Sequence, residues 1–599
     1  MDTLGQYVKR KYDAMCAKRS GMKAVWKAVS KYVLQRQSQF ADETNGRVVR
    51  ISIAGVSDDS AMDSARASAT ALGGALWPNA DESFELAPHP LMCSMPEYKE
   101  QVETEEVRSY IKEATSRVRH SFSSEEAGFL IALGEHFDEQ VTLCTSGIIG
   151  EEDHYNDIDP VFFRSANVET TVIDENYKGR IDTMGFERWL NIRQAVEQYG
   201  NKCSKELLEK AKQPENADSY VKIIQLVEPR PNGRKGADPW ERPIADIHIE
   251  AANGNVLHEG GMDSMCAFMV RFRKLSGELY GRSLSTDALP LIQELNVVKR
   301  SFSLALGKQL DPPLGFYREM FGGAGTIDLS MGAKIPLNFT SGMANQNRPP
   351  VERFLEVPEP RVANERIQSM EERLAIKYLL DKLLDFNNKT RMTLGEAELR
   401  NDFRNQALGN IFARQMIELL YPIIMWTVGV YWRRKLLGLN PLTDAAEIAL
   451  ARAAGQPIFV MPKVFAEFYA RTGKLPFTAR FTSPAARAMR ADALLGIEKF
   501  SNFVLALIGG GFADAADCYD VDKSLGLYRH HLGAPQECMR AADAIDEARK
   551  SRQQAQAQMA ELQMQEQSSQ VAKNAAKAAK DAAQAGLPPG GLPLGGFNG

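Results

Sequence analysis

Residues 286–308 read TDALPLIQELNVVKRSFSLALGK, and residues 363–384 read ANERIQSMEERLAIKYLLDKLL. In the first stretch Leu291, Leu295, Val298, Phe302 and Leu306 recur at steps of three and four, the spacing that lines side chains along one face of an α-helix. Thr286 is placed to cap a helix over 287–308. Pro290 is tolerable there because it falls in the first turn, where backbone N–H groups have no intrahelical partner. Asp311-Pro312-Pro313 stops the helix. In the second stretch Ile367, Met370, Leu374, Tyr378 and Leu383 form a matching stripe. Two amphipathic rods therefore flank 314–360, a segment rich in Gly, Pro and Asn that predicts a small irregular unit with short strands. Rods of this kind can stand side by side about an axis, each burying its stripe against neighbouring copies and turning polar groups to a lumen.

Beyond the second rod lies a polar loop, Asp385-Phe386-Asn387-Asn388-Lys389-Thr390-Arg391. Thr393 and Glu396 are then spaced as a capping box that opens a third long helix carrying Phe412, Met416 and Leu420. Its uncharged run over 419–432 is about 14 residues and contains Pro422, against about 20 needed to span a bilayer, so a buried helix and no membrane partner are expected. Ser483 followed by Pro484 is a helix start. Leu494, Ile497, Val504 and Leu507 give that helix a buried face, and Gly509-Gly510-Gly511 ends it. Shorter helices are expected over 520–532 and 537–550, then an exposed Gln- and Ala-rich helix from 551. A Gly/Pro/Leu tail at 586–599 is expected to be disordered.

Upstream of the rods the pattern is α+β. The first forty residues carry Lys9, Arg10, Lys11, Lys18, Arg19, Lys23, Lys27, Lys31 and Arg36 against only Asp2 and Asp13, interleaved with apolar residues at near-helical spacing. A helix of this kind could touch membrane or nucleic acid; the plainer expectation is a solvated face on a helix packed by its apolar side. Residues 64–76 form a small-residue helix suited to close packing. From about 139 to 258 strands are expected, with turns at 176–179 and after Pro229 and a hairpin about Asn253-Gly254. The fold class is thus α+β, mainly helical, in several packed units, since 599 residues exceed one hydrophobic core.

The bulk numbers exclude some functions. A net charge of -5 argues against broad nucleic-acid gripping, which needs many Lys and Arg on the phosphates, but permits a surface past which DNA slides. The seven cysteines are scattered, with no CxxC pair, which reads as reduced thiols without a zinc site. The opening residues have no signal-peptide core. No GxxxxGK[ST], GxSxG or HExxH motif occurs; Gly322-Gly323-Ala324-Gly325-Thr326 lacks the lysine and following helix of a phosphate loop. Glu151, Glu152, Asp153, His154, Asp157 and Asp159 match no calcium-loop spacing and read as a solvated loop, and the adjacent His530 and His531 as surface or structural residues. No catalytic residue, metal or cofactor is therefore expected.

Tyr280-Gly281-Arg282-Ser283 followed by Asp287-Ala288-Leu289-Pro290 resembles the head-to-tail connecting (portal) protein family of short-tailed bacteriophages, with Leu284 where that family usually has proline. Tyr177-Lys178-Gly179-Arg180-Ile181-Asp182-Thr183 and the helix up to Tyr199-Gly200 are similar to its upstream β-rich segment. Ser483-Pro484-Ala485-Ala486-Arg487 through Ile497-Glu498-Lys499-Phe500 resembles its C-terminal helix. The three blocks stand in the family's order, and the likeness covers roughly residues 1–550. It implies a portal-type fold: wing over 1–285 and 393–480, stem helices over 286–310 and 361–386, clip over 311–360, tunnel loop over 387–392, crown over 481–550, and a C-terminal helix and tail over 551–599. It also implies a dodecameric ring (self-association, twelve subunits) enclosing double-stranded DNA at one capsid vertex. The expected partners are the terminase large subunit, major capsid and scaffolding proteins, and tail adaptor or tail tube proteins. The expected location is the virion, after assembly in the host cytoplasm.

In that frame Asn387, Asn388, Lys389 and Arg391 would contact DNA from the tunnel loop, touching phosphates without reading sequence; the alternative is an ordinary solvated helix–helix loop. The competing functions are another virion structural protein, such as a tail adaptor or internal core protein, and a nucleic-acid-processing enzyme. The length and the rod–insert–rod order disfavour the first, and the missing motifs disfavour the second.

Overall fold

A computed structural model describes the chain apart from residues 1–2, 38–50, 52, 80–82, 103, 154–155, 157–158, 217, 235, 237, 313, 318–333, 338–350, 354–360, 384–407, 455–457, 511–518, 533–541 and 585–599. It divides into two units, Met1–His89 with Ile111–Gly533, and Pro90–Tyr110 with Ala534–Gly599.

The first unit mixes helix and sheet. It begins with α1 (Leu4–Arg19), α2 (Lys23–Tyr32) and α3 (Ser60–Leu76), followed by β1 (Phe84–Pro88) and α4 (Phe129–Leu143). The sheet region then runs β2 (Thr145–Glu152), β3 (Val161–Asn167), β4 (Thr171–Glu175), β5 (Ile181–Asn191), β6 (Tyr220–Pro229), β7 (Ile244–Glu250), β8 (Val256–Met262) and β9 (Ala267–Arg271). The strands expected from 139 thus begin only at 145, because α4 continues to Leu143, and they extend past 258. β4 to β8 make an antiparallel five-stranded sheet in sequence order, with short turns between β4 and β5 and between β7 and β8 and a helical excursion over 192–216 between β5 and β6. The turn at 176–179 closes with Gly179 N–H donating to Asn176 O at 2.9 Å. β3, β2 and β9 form a second sheet.

α1 lies on the five-stranded sheet by its apolar side. Val8, Tyr12 and Met15 pack on Val172, Ile224, Leu226, Ala245, Ile247 and Ile249. Three of its basic residues are engaged by the sheet region. Lys11 pairs with Glu228, Lys18 with Asp174 at 2.7 Å, and the buried Arg19 guanidinium donates to the carbonyls of Val168, Glu169 and Thr171 at 3.0–3.2 Å. A second core is aromatic. Trp77 just after α3, Phe84 of β1, Phe122 of the helix Glu105–Ser123, Phe129 of α4 and Phe163 of β3 sit with ring centroids of neighbouring pairs 4.7–5.7 Å apart.

The first rod is α5 (Leu284–Leu310) and the second is α6 (Arg361–Lys377), followed by a short helix, Leu380–Leu383. Four expectations are corrected here. The cap is Ser283, whose Oγ accepts from Thr286 N–H at 2.9 Å, so the helix starts one turn earlier and Pro290 lies inside it. The missing Pro290 N–H therefore removes one hydrogen bond of the ladder. The second rod breaks at Tyr378–Leu379, where Leu379 takes φ +60. Finally, the stripe of α6 is buried inside its own subunit: Ile367, Met370, Leu374, Tyr378 and Leu383 are at most 6% exposed. The expected burial of this stripe against neighbouring copies is therefore not what the fold uses it for. On α5 the stripe is buried only at its start, through Leu291, Ile292 and Leu295.

Between the rods, β10 (Leu314–Tyr317), β11 (Lys334–Leu337) and β12 (Val351–Arg353) form a small sheet in the order β11-β10-β12, as expected of the insert. The third long helix, α7 (Leu408–Arg433), is among the described residues the one helix long and apolar enough to cross a membrane, and 56% of its apolar window is buried inside the protein. Ile423, Ile424, Val428 and Val430 are fully buried, as the core-helix reading requires. Trp426 lies over Gly150 of β2, where a Cβ would come within 2.6 Å of the indole, so only glycine allows this approach. Pro422 does not break the helix, because the turn before it widens. Gln415–Leu420 is a π-turn, with Tyr421 N–H reaching back to Met416 O.

α8 (Lys463–Thr472) and β13 (Phe477–Phe481) follow, and β13 pairs with β1. Ser483 starts the next helix as expected, its Oγ accepting from Ala486 N–H at 3.4 Å, but the helix breaks at Arg490 into Pro484–Met489 and α9 (Ala491–Gly509). Of the expected face, Val504 is buried, Ile497 and Leu507 are half-buried, and the side chain of Leu494 is outside the described set. α10 (Val521–Leu532) closes the unit. In the second unit Ala542–Gln584 is a single exposed helix, not two.

Candidate functional site

The expected DNA-contacting residues Asn387, Asn388, Lys389 and Arg391 lie outside the described residues, as do Thr393 and Glu396. The elements that carry that segment are described: the end of the second rod on one side and the start of α7 on the other.

The segment departs just beyond a buried junction. Tyr378 is fully buried and its hydroxyl lies 2.8 Å from Ser285 Oγ. Ser285 in turn donates to Val141 O at 3.1 Å, which sets the direction: tyrosine donates to serine, serine to the carbonyl. Burial pushes the Tyr378 phenol well up, against a smaller lowering by Ser285, so it remains a neutral donor. Ser68 of α3 donates to Tyr378 O at 2.5 Å. These bonds pin the rod break to α3, α4 and the first turn of α5 together.

Farther along the rods, about four turns on from Ser285 in α5 and two turns before Tyr378 in α6, a second cluster ties them to the segment before α3. Lys299 Nζ lies 2.6 Å from Asp58, 2.6 Å from Glu371 and 2.7 Å from Ser60 Oγ. The Asp58 side chain is 1% exposed. Burial alone would lower the Lys299 ammonium, but the two carboxylates outweigh it and hold its pKa above the ordinary value. Asn296 completes the clasp, accepting from Ser57 N–H at 2.6 Å and donating to Gly55 O at 3.2 Å. At the rod surfaces Arg366 pairs with Glu294 at 2.7 Å and Lys377 donates to Asp287 O at 3.0 Å. These groups are engaged with one another, Asp58 through Oδ1 alone, and none converges on an open point where a reacting atom could sit, so the arrangement is scaffolding.

The block at 280–283 has a similar role. Tyr280 is buried edge-on to Trp26, ring centroids 5.3 Å apart, and its hydroxyl accepts from Ile173 N–H at 3.2 Å. At Gly281 a Cβ would meet Arg273 O at 2.6 Å. Arg282 pairs with Glu278, and Ser283 both caps α5 and donates to Thr142 O at 2.7 Å. The block is thus a joint welding the sheet region to the first rod.

The acidic loop holds no metal group among the described residues. Glu151 pairs with Arg164, Glu152 with Arg433, and Asp159 accepts from Ser124 at 2.7 Å; His154 and Asp157 are outside the described set. The clasp at Lys299 and the junction at Tyr378 escaped sequence reading because their partners are remote in the chain; only Ser283, three residues before Thr286, left a local signal.

The family of bacteriophage head to tail connecting proteins matches residues 6–539, and the chain belongs to it. It is similar to the probable portal protein of Bordetella phage BPP-1, at 23% identity over 414 residues, covering 66% of this chain and 67% of that one. Among solved structures, a chain of the virion of a native gene transfer agent particle aligns with 70% of this chain and 90% of its own length at 9% identity and a TM-score of 0.28, a likeness too distant to add to the assignment. Family membership makes the chain a virion component of structural rather than enzymatic class.

Proposed function

We propose that this protein is the portal of its phage: twelve copies in a closed ring at one capsid vertex, through which double-stranded DNA enters and leaves the head. The rods over 286–310 and 361–386 are the stem, 311–360 the clip, 387–392 the tunnel loop, 1–285 with 393–480 the wing, and 481–550 the crown. The clip side meets the terminase large subunit during packaging and the tail adaptor or tail tube afterwards; the outer surface meets major capsid and scaffolding proteins. The observation that carries this reading is the family match across 6–539.

The rods support it physically. With the stripe of α6 used inside the subunit, Val297, Leu304, Leu306 and Leu310 on α5 and Val362 and Ile376 on α6 remain uncovered, between 38% and 80% exposed. Apolar surface of this extent on long helices suits contact between copies. A closed ring would cover it on every subunit at once, whereas an open stack would leave two ends bare.

The reading is tested by deleting the gene from its phage. Heads without DNA and without tails, restored to full virions when the protein is supplied in trans, are expected. Full, tailed heads from the deletion would contradict it.

A further inference from the structure

β8 is an edge strand of the five-stranded sheet, and its pairing with β7 sets His258 directly opposite His248. The two rings meet with centroids 5.2 Å apart and planes inclined at 55°. The ladder is irregular at the same point, its register shifting between His248 and Ile249. Two titratable imidazoles therefore face each other across an irregular step of an edge ladder, where pairing is already disturbed.

The rings have unlike surroundings. His248 is 6% exposed and bonded at both nitrogens: Nε2–H donates to Asp246 Oδ1 at 3.2 Å, and Nδ1 lies 2.7 Å from the Tyr199 hydroxyl. A hydroxyl donates to a bare ring nitrogen or accepts from a protonated one, so this site suits His248 with or without a second proton. Gln225 also donates to Asp246 Oδ1, at 2.8 Å. Burial alone would raise the Asp246 carboxyl, but the bonds from His248 and Gln225 outweigh it and hold its pKa below the ordinary value. His258 is half-buried, and its ring makes no hydrogen bond among the described residues. Its Nε2 lies against the backbone of Gly260, where a Cβ would collide with it. The charged groups facing it are His248 and Asp246 on β7, Lys202 from the segment after Ile192–Tyr199, and Glu259 on its own strand, whose carboxylate is 4.0 Å from Arg230. Burial, with His248 and Lys202 adding to it, outweighs the two carboxylates and holds the His258 ring below its ordinary pKa.

Beyond the ladder, β8 is held by Leu257, buried among Ile192, Tyr199, Cys203 and Leu207, and by Arg230 and Arg242, which donate to Gly260 O and Gly261 O at 3.0 and 3.4 Å. The core under α1 is built on β7 by Ala245, Ile247 and Ile249, and β8 reaches it only through the partly buried Val256. That core stays closed when β8 leaves.

We propose that the imidazole pair makes β8 an acid-released edge strand. One proton on the pair is held at His248, between Tyr199 and Asp246. A second, on His258, sets like charges face to face with no acceptor for the new N–H, and β8 separates from β7. In the released strand His258 titrates near its ordinary value of about 6.5. The open form thus binds one proton more than the closed form in this range and gains on it as pH falls. The inference concerns the sheet alone and does not depend on the portal reading.

Hydrogen exchange of the full-length protein tests it, read by mass spectrometry on peptides from β8 and corrected for the pH dependence of intrinsic exchange. From about pH 7 to about pH 5.5 the protection of β8 should fall by about threefold to tenfold, the upper figure being the most that one proton allows over that span. Peptides from β5 and β6 should keep their protection, and in each sample they report that the sheet is intact. His258→Gln should leave β8 equally protected at both pH values. Protection of β8 that is unchanged with pH in the wild type, or a fall that persists in His258→Gln, would overturn the proposal.

Discussion

Lys299 and Asp58 stand 241 positions apart in the chain and meet at 2.6 Å, with the carboxylate almost wholly removed from solvent. The contact fixes the segment before α3 against the first rod, and through Glu371 against the second. Removing the ammonium would leave Asp58 buried without its countercharge. Lys299→Met should therefore lower the stability of the unassembled subunit by about 3 kcal/mol, read from urea unfolding. Replacing Asp58 by Asn in the same chain should restore part of that loss, since the buried charge is then gone.

His136 predicts a pH dependence of the opposite kind to a paired histidine. Burial holds its pKa down to about 4, against about 6.5 for an exposed ring. Between those values the unfolded chain binds a proton that the folded chain does not, so stability contributed by neutral His136 is present above pH 6.5 and is lost as pH falls toward 4. The difference in unfolding free energy between wild type and His136→Met should fall by about 1.4 kcal/mol per pH unit across that window. A difference independent of pH would show that the ring is not held neutral.

The uncovered rod positions predict a separation of folding from assembly. Val297 and Leu304 are 62% and 48% exposed in the single chain, so Val297→Asp with Leu304→Asp should change subunit stability by no more than about 0.5 kcal/mol. If copies meet through these positions, the same double variant should stay unassembled, as sedimentation would show. Ring formation at the wild-type concentration dependence would place the contacts elsewhere.

Much of this was legible in the chain, and the parts that were not share a cause. The stripes at 291–306 and 367–383, the turn at 176–179, the Asn253-Gly254 hairpin and the buried run at 419–432 all follow from local periodicity or turn chemistry. The break at Tyr378–Leu379 did not show, because the apolar spacing continues through Tyr378 to Leu383 while the backbone reverses sign between them. The π-turn at Gln415–Leu420 was hidden because the apolar spacing on either side of Pro422 carries no mark of the one residue it adds. Ser283 was passed over as the cap because Pro290 drew the helix start later. The clasp at Lys299 and the hydroxyl chain from Tyr378 through Ser285 to Val141 join residues that only the tertiary fold brings together. The role of Asn387, Asn388, Lys389 and Arg391 rests on the family resemblance.

That role yields its own test. Lys389→Ala with Arg391→Ala should leave rings intact but lower the yield of DNA-filled heads, since twelve copies of the loop would otherwise present a band of positive charge to the phosphates. Normal yields of full heads from the double variant would remove these residues from the DNA path.

The central claim is that this chain is built to be repeated about an axis around a passage wide enough for duplex DNA. Electron micrographs of the purified full-length protein viewed end-on test it most directly. The account predicts ring particles with an open centre and about twelvefold symmetry. A population that stays monomeric across protein and salt concentrations, or closed particles with no central opening, would contradict it.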